Sequence, residues 1–440
     1  MKIELWSPLP PARSGIADHV AESLPFLTRL AEVTVVAEDP AAVDHAALGG
    51  ARLVAAGDAD PSALRLYELG NSHWHGFVYR EALRVPGVLR LHEWSLHGLV
   101  LSQTFLRGDE PGYRRLMRAA YGGTGSFLAG QVAGGFCTPV IESLFPLSEH
   151  LVERARGVAP TTAFTLARAA AVSPGLPGLH LPLHASLPLP APSRAQARAA
   201  LGLPEDAFVV TAPGLVNPLK RLDVALRVAG RLRRELRALH FVVAGDNPPR
   251  LPLADWARDA GLRGAFTVTG RVSLADLVRH LAAADVVLAL RFPTLGEMSA
   301  VLLRALLVGR PTLVTAGTPA QLEFPEGLVV PVDAGRYEEA ELLAMLSLLA
   351  RRPQLREAIG TRARAFVREH HDPGRLAERL VAFLAQVAAR PLAPPLDSRE
   401  GGLAADLLLD VRRACLELGL GRVPDDVRAL AGELLSQSPT

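Results

Sequence analysis

Residues 285–317 read "DVVLALRFPTLGEMSAVLLRALLVGRPTLVTAG". The stretch opens on an apolar, β-branched run and turns through Phe292-Pro-Thr-Leu-Gly296. It stays apolar almost throughout from Met298 to Val308, then gives a second β-branched run after Gly309-Arg-Pro311. A helix placed between two strands carries the chain back across the sheet, so the strands pair in parallel. Strands this apolar are covered on both faces, and a helix apolar around most of its circumference is itself mostly buried. One carboxylate, Glu297, stands ahead of that helix, which the pattern starts at 297. Glu297 is either a cap or a working group, and as a cap it is odd, because Ser or Asp serves better.

The same alternation runs outward in both directions. "KIELWSP", "EVTVVAEDP", "ARLVAAGD" and "VLRLHEW" are strands of the first half, and "AFVVTAPG", "LHFVVAGD" and "AFTVTG" join the two above in the second. "YELGNSHWHGFVYREALRVPG" reads as a loop entering a helix. The Pro-rich stretch 176–193 is a hinge linker. The expected organisation is an α/β protein of two Rossmann-like domains, 1–185 and 186–372. A helix over 373–390 packs back toward the first, and a linker and helical tail occupy 391–440. Two such domains form a cleft, with ligand at the carboxyl ends of the strands.

Composition narrows the partners. Of 440 residues, 49% are hydrophobic and 21% charged, as in a folded soluble protein. Net charge is −2 over 1–185, +7 over 186–390 and −3 over 391–440. A mildly basic middle suits a nucleotide diphosphate and is too weak for nucleic acid. Two cysteines make no disulfide framework. No apolar leader or span is visible, so the expected location is cytoplasmic; peripheral membrane contact and self-association stay open. Of 47 Lys and Arg residues only Lys2 and Lys220 are lysine. A lone internal lysine is either a survivor of compositional bias or a compact point charge where a guanidinium does not fit.

Several residues carry candidate chemistry. His73, His75, His92 and His97 cluster in sequence, but His92 and His97 are five apart, about 140° around a helix, which argues against a zinc pair. No metal is expected. His92, ending a strand, is placed to meet a ligand, a structural histidine being the other reading. Gly15 lets backbone approach a ligand at a helix N-terminus. Lys220 and Arg221 follow a strand that ends at Gly214, a position suited to a diphosphate. Arg304 lies two helical turns beyond Glu297. No GxGxxG follows the first strand, and no GxxxxGK[ST] exists.

Together "SPLPPARSGIADH", "GNSHWH", "PGVLRLHEWSLH", "GLVNPLKRLD", "VTGRVSLADL", "PTLGEMS" and "REHHDP" resemble the family 4 retaining glycosyltransferases of the GT-B fold, over about residues 1–390. The resemblance implies a nucleotide-diphosphate sugar as donor and a glycan, lipid-linked or small-molecule hydroxyl as acceptor, with no cofactor. It implies catalytic roles for His92, Lys220 and Glu297. Gly15, Gly214, Arg221, Gly270, Arg271, Val272, Gly296, Met298, Ser299 and Arg304 are implied on the donor side, and His75, Glu93 and His97 on the acceptor side. Arg304 stands where the family's second glutamate is expected, Leu215 replaces a frequent arginine, and Glu93 replaces an aspartate. The missing second glutamate and Leu215 keep open a sugar-nucleotide-binding partner subunit without catalysis, and a sugar-nucleotide epimerase on the same fold is a second alternative.

Overall fold

The structure is a computed structural model and describes residues 1–391 save 189, 249 and 250. The tail expected over 392–440 lies outside the described residues. Six strands form the first sheet: β1 (Lys2–Trp6), β2 (Glu32–Ala37), β3 (Arg52–Ala55), β4 (Leu64–Leu69), β5 (Val88–Leu91) and β6 (Gly157–Val158). Six form the second: β7 (Phe208–Pro213), β8 (Leu239–Ala244), β9 (Phe266–Val268), β10 (Val286–Ala289), β11 (Thr312–Thr315) and β12 (Val330–Val332). Pairing is parallel within both sheets.

The strand orders are β3-β2-β1-β4-β5-β6 and β12-β11-β10-β7-β8-β9. Counted from each domain's first strand they are one order, 3-2-1-4-5-6. The strand order of each sheet therefore reverses once, between β1 and β4 and between β7 and β10, and opens a crevice there at the carboxyl edge. The segments leaving those strands hold Gly15, Gly70–His75, Gly214–Lys220 and Arg291–Glu297.

Three strands escape the sequence pattern. β4 is interrupted by Arg65 and Glu68, so its apolar run looks too short. Both charges are compensated inside the fold: Arg65 pairs with Glu81 and lies 3.6 Å from Glu4, and Glu68 takes His92 at 2.5 Å and Arg90 at 3.7 Å. β6 and β12 have only two and three residues, too few for a periodicity.

The chain crosses between the domains twice. The first crossing is the Pro-rich linker. The second precedes the helix Pro373–Ala388, capped by Asp372. Leu376, Leu380, Phe383, Leu384 and Val387 of this helix join the core of the first domain with Leu24, Val33 and Leu66. The crossings run side by side: His371 Nδ1 donates to Leu183 O at 2.6 Å, and Ala185 N–H donates to His371 O at 2.9 Å.

One buried ion pair ties the second domain together. Arg198 donates to Asp285 Oδ2 at 2.6 Å, Ala283 O at 3.0 Å and Ala207 O at 2.8 Å. Arg194 and Arg356 lie 3.4 and 3.5 Å from the same aspartate. Asp285→Ala leaves a buried guanidinium uncompensated, a loss of about 3–5 kcal/mol. A clear fall in denaturant midpoint is expected for the folded variant; an unchanged midpoint contradicts the assignment.

Candidate active site in the interdomain cleft

The cationic corner is built on β7. After Pro213, Gly214 takes φ +83°, and the chain turns through a short 3-10 segment to Lys220. The lysine folds back, and Nζ donates to Pro213 O at 2.6 Å. A Cβ on Gly214 would stand 3.0 Å from Nζ, and one on Gly245 would stand 2.4 Å from Gly214 O. The two glycines therefore let lysine and backbone converge. Burial, and then the charge of Arg291, lower the Lys220 pKa well below the usual lysine value. Arg221 is spent elsewhere: its guanidinium holds both Glu338 oxygens through Nε and Nη2.

Glu297 is not a helix cap. The helix is Ala300–Val308, and Ser299 caps it by accepting from Leu302 N–H, as cap preferences favour. Glu297 is buried three residues earlier. Oε2 accepts from Leu295 N–H at 2.7 Å and Thr294 Oγ1 at 3.1 Å, and Oε1 meets Arg291 at 3.1 Å. Met298 packs into the core with Leu302 and Leu303.

This loop is fastened to the first domain. Leu295 O accepts from Trp94 and Ser95 N–H at 2.8 and 2.9 Å. Thr294 O accepts from Ser143 at 2.7 Å, and Gly296 O accepts from Thr162 and Thr165 at 3.1 and 3.3 Å. Gly296 has φ +87°, and a Cβ there would lie 2.7 Å from Trp94 Cβ. Only glycine fits both the conformation and the approach.

The facing wall comes from β4, β5 and the helix Gly15–Leu27, whose N-terminus is capped by Ser14. Gly15 is exposed with open space at its Cβ position. His92 is buried, its Nε2 on Glu68 Oε2, with the His19 ring edge-on at 5.7 Å. His75 is fully buried, with Nδ1 on Glu68 O at 2.8 Å. His97 turns into the core, both nitrogens engaged, Nδ1 with Phe145 O at 2.5 Å and Nε2 with Tyr113 at 2.9 Å. Glu93 Oε1 accepts from Asn71 N–H at 2.6 Å.

Arg304 is buried and reaches across the cleft to Glu22 at 2.5 Å. Gly270, at φ +68°, turns the chain into exposed Arg271 and half-buried Val272. The charges of Arg271 and Arg304 both act on Asp18, which sets this loop opposite the first helix. Among the described residues no His, Cys, Asp or Glu group is arranged to hold a metal. None of the described helices is long and apolar enough to cross a membrane.

Sequence reading missed Glu22, Glu68, Asn71, Arg291 and Glu142. Glu68 lies in the unread strand. Arg291 stood in the opening stretch, and its place directly after a strand was the available signal. Nothing local in the sequence distinguishes Glu22 from any other helical glutamate.

Residues 207–351 match the family model described as "Glycosyl transferases group 1". The chain is 32% identical to a D-inositol 3-phosphate glycosyltransferase of Kineococcus radiotolerans over 200 residues, 40% of this chain and 45% of the relative. It is 33% identical to one of Saccharomonospora viridis over 186 residues, 39% of this chain and 41% of the relative. The matched stretch thus spans less than half of these curated relatives. Among solved structures it is similar to sucrose-phosphate synthase from Thermosynechococcus elongatus, with TM-score 0.61 at 15% identity, covering 88% of this chain and 99% of that one. It is also similar to Anabaena HepE in complex with UDP-glucose, with TM-score 0.60 at 14% identity over 88% and 100%. These likenesses give the fold, GT-B.

Burial first, and then the charge of Glu297, push the Glu93 carboxyl up to about 7. A carboxyl raised in the folded state binds a proton that the unfolded chain has released. Stability is therefore lost as pH rises from about 4.5 to about 7. Glu93→Gln should melt above the wild type at pH 8 and close to it at pH 5. A wild-type advantage at pH 8 contradicts the assignment.

Proposed function

With a group 1 glycosyltransferase domain over 207–351 on a GT-B frame as premise, we propose that the chain transfers a sugar from a nucleoside-diphosphate donor to an acceptor hydroxyl, with retention. One observation carries the reading: Lys220 Nζ is folded beside Gly214 at the crevice of the second sheet, the one internal lysine in a chain that otherwise uses arginine.

The donor diphosphate lies at Gly214, where Lys220 neutralises it and the N-terminus of the helix Ala300–Val308 adds its dipole. Glu297, held by Leu295 and Arg291, accepts hydrogen bonds from the donor's sugar hydroxyls. His92, oriented by Glu68, faces the sugar from the first domain. The sugar C1–O bond to the diphosphate breaks, and the acceptor oxygen bonds C1 on the same face. The acceptor's proton passes to the leaving phosphate oxygen. Positioning and charge neutralisation supply the rate. The acceptor named for the curated relatives, a phosphorylated inositol, is not carried over to this chain.

Lys220→Ala should lose on the order of 10²–10³ in kcat/KM while staying folded. Lys220→Arg should recover only part, because a planar fork cannot replace a point charge here. Near-normal turnover of UDP-, GDP- and ADP-sugars by folded Lys220→Ala removes the phosphate site from this corner.

Free Lys220 has a lowered pKa, and a bound diphosphate raises it again, so binding takes up a proton and affinity falls as pH rises. Calorimetric titration of the nucleoside diphosphate at pH 8, in two buffers of different ionisation enthalpy, should give different apparent enthalpies. Identical enthalpies refute the coupling.

A further inference from the structure

The second sheet also has an opening at its amino edge. Gly309, Arg310 and Pro311 lead from the helix Ala300–Val308 into β11, and Ala282 lies just ahead of β10. Residues beside them therefore stand at the edge opposite the crevice. There the Pro-rich linker and the helix Pro353–His370 border a cavity of about 670 Å³, open to solvent. Leu187, Pro188, Leu307 and Val308 give it an apolar wall. Arg310, Arg364 and Arg368 give it three guanidinium groups. Leu307 and Val308 end the helix whose first turn meets Gly214 through Val301. Roughly 13 Å of helix thus separates the cavity from the Lys220 corner.

The cations are placed by the fold and left uncompensated by it. Arg364 Nη2 donates to Val308 O. Gly309, at φ +85°, admits that group, since a Cβ there would stand 2.3 Å from the same nitrogen. Arg310 Nη2 donates to Ala282 O at 2.6 Å, and its buried Nε has no acceptor. Arg368 is exposed and lies one turn beyond Arg364 on the same helical face. Among the described residues, none of the three pairs with a carboxylate. Asp285, the carboxylate that acts on Arg310, is already held by Arg198, with Arg194 and Arg356 beside it. Burial first brings the Arg310 pKa down to about 10, and Arg194, Arg364 and Arg198 lower it against the pull of Asp285. At neutral pH the group is still a cation.

A cavity with three positive side chains and no negative one favours an anion. The carbonyls at the helix end carry partial negative charge, but Gly309 N–H, Arg310 N–H and Arg364 already engage them. Guanidinium groups present paired donors that match phosphate oxygens. A carboxylate brings one negative charge, and a phosphate monoester about two. The apolar wall beside the cations suits the organic part of an ester rather than a bare ion.

We propose that this cavity is a second ligand site and binds a phosphate monoester, its phosphate among Arg310, Arg364 and Arg368 and its organic group on Leu187, Pro188, Leu307 and Val308. The proposal goes beyond the glycosyl-transfer reading and does not rest on it.

The test uses the full chain and three probes, phenyl phosphate, inorganic phosphate and benzoate, each titrated calorimetrically at about pH 7.5, where the monoester is a dianion. Phenyl phosphate should bind on the order of tenfold tighter than benzoate and measurably tighter than inorganic phosphate. Its binding should persist in folded Lys220→Ala, which removes the cation of the donor crevice. It should weaken on the order of tenfold or more in Arg364→Gln/Arg368→Gln. Arg368→Glu alters one exposed side chain without a partner among the described residues, so it reads the same loss should the double variant fail to fold. No saturable phenyl phosphate binding, equal binding of either other probe, loss of binding in Lys220→Ala, or affinity unmoved by the arginine substitutions overturns the proposal.

Discussion

Four residues of the second domain, Thr294 to Glu297, are held from both sides, and the cleft takes its form from that fact. Within their own domain Glu297 closes the loop onto Leu295 and Arg291. From the other domain Trp94, Ser95, Ser143, Thr162 and Thr165 donate to three consecutive carbonyls. This double fixing is possible because Gly296 adopts a left-handed conformation with no side chain to strike Trp94. Backbone groups that would otherwise be orphaned at a domain edge are satisfied across the boundary. Glu297 is brought within electrostatic range of Glu93 by the same contacts.

Charge is divided across the cleft. The second domain contributes Arg271, Arg291 and Arg304 beside the single carboxylate Glu297, and the first contributes Asp18, Glu22, Glu93 and Glu142. The Arg304–Glu22 pair spans the divide directly, with Glu22 also receiving Ser186 and lying 3.6 Å from His184. The uneven net charge of the two halves is the coarse trace of this division. A low-dielectric cleft magnifies it, so ligand charge has a preferred direction of entry.

How much of this was legible follows from how local each determinant is. The stretch 285–317 announces a parallel unit because period and composition are local, and the lone lysine stands out by counting. Glu297 was legible as unusual, but its role as a loop closer was not, since its partners Thr294 and Leu295 depend on how the turn folds. β4 was lost because Arg65 and Glu68 are neutralised by Glu4, Glu81, Arg90 and His92, residues distant in sequence. The same distance hides Glu22 from Arg304 and Asn71 from Glu142. His97 looked like a ligand-facing residue until Phe145 and Tyr113 claimed both its nitrogens. Strand order was beyond the sequence altogether, yet it alone explains why residues from four separate strands meet.

The paired crossings have a mechanical consequence. A linker of one strand lets two bodies swivel and twist about it in every direction. Here the chain passes over and returns, and His371 laces the two passages together at Leu183 and Ala185. Bodies joined by two adjacent tethers turn about the line through them and resist other rotations. The orientational entropy that a single floppy linker would leave to the two bodies is already lost when the protein folds.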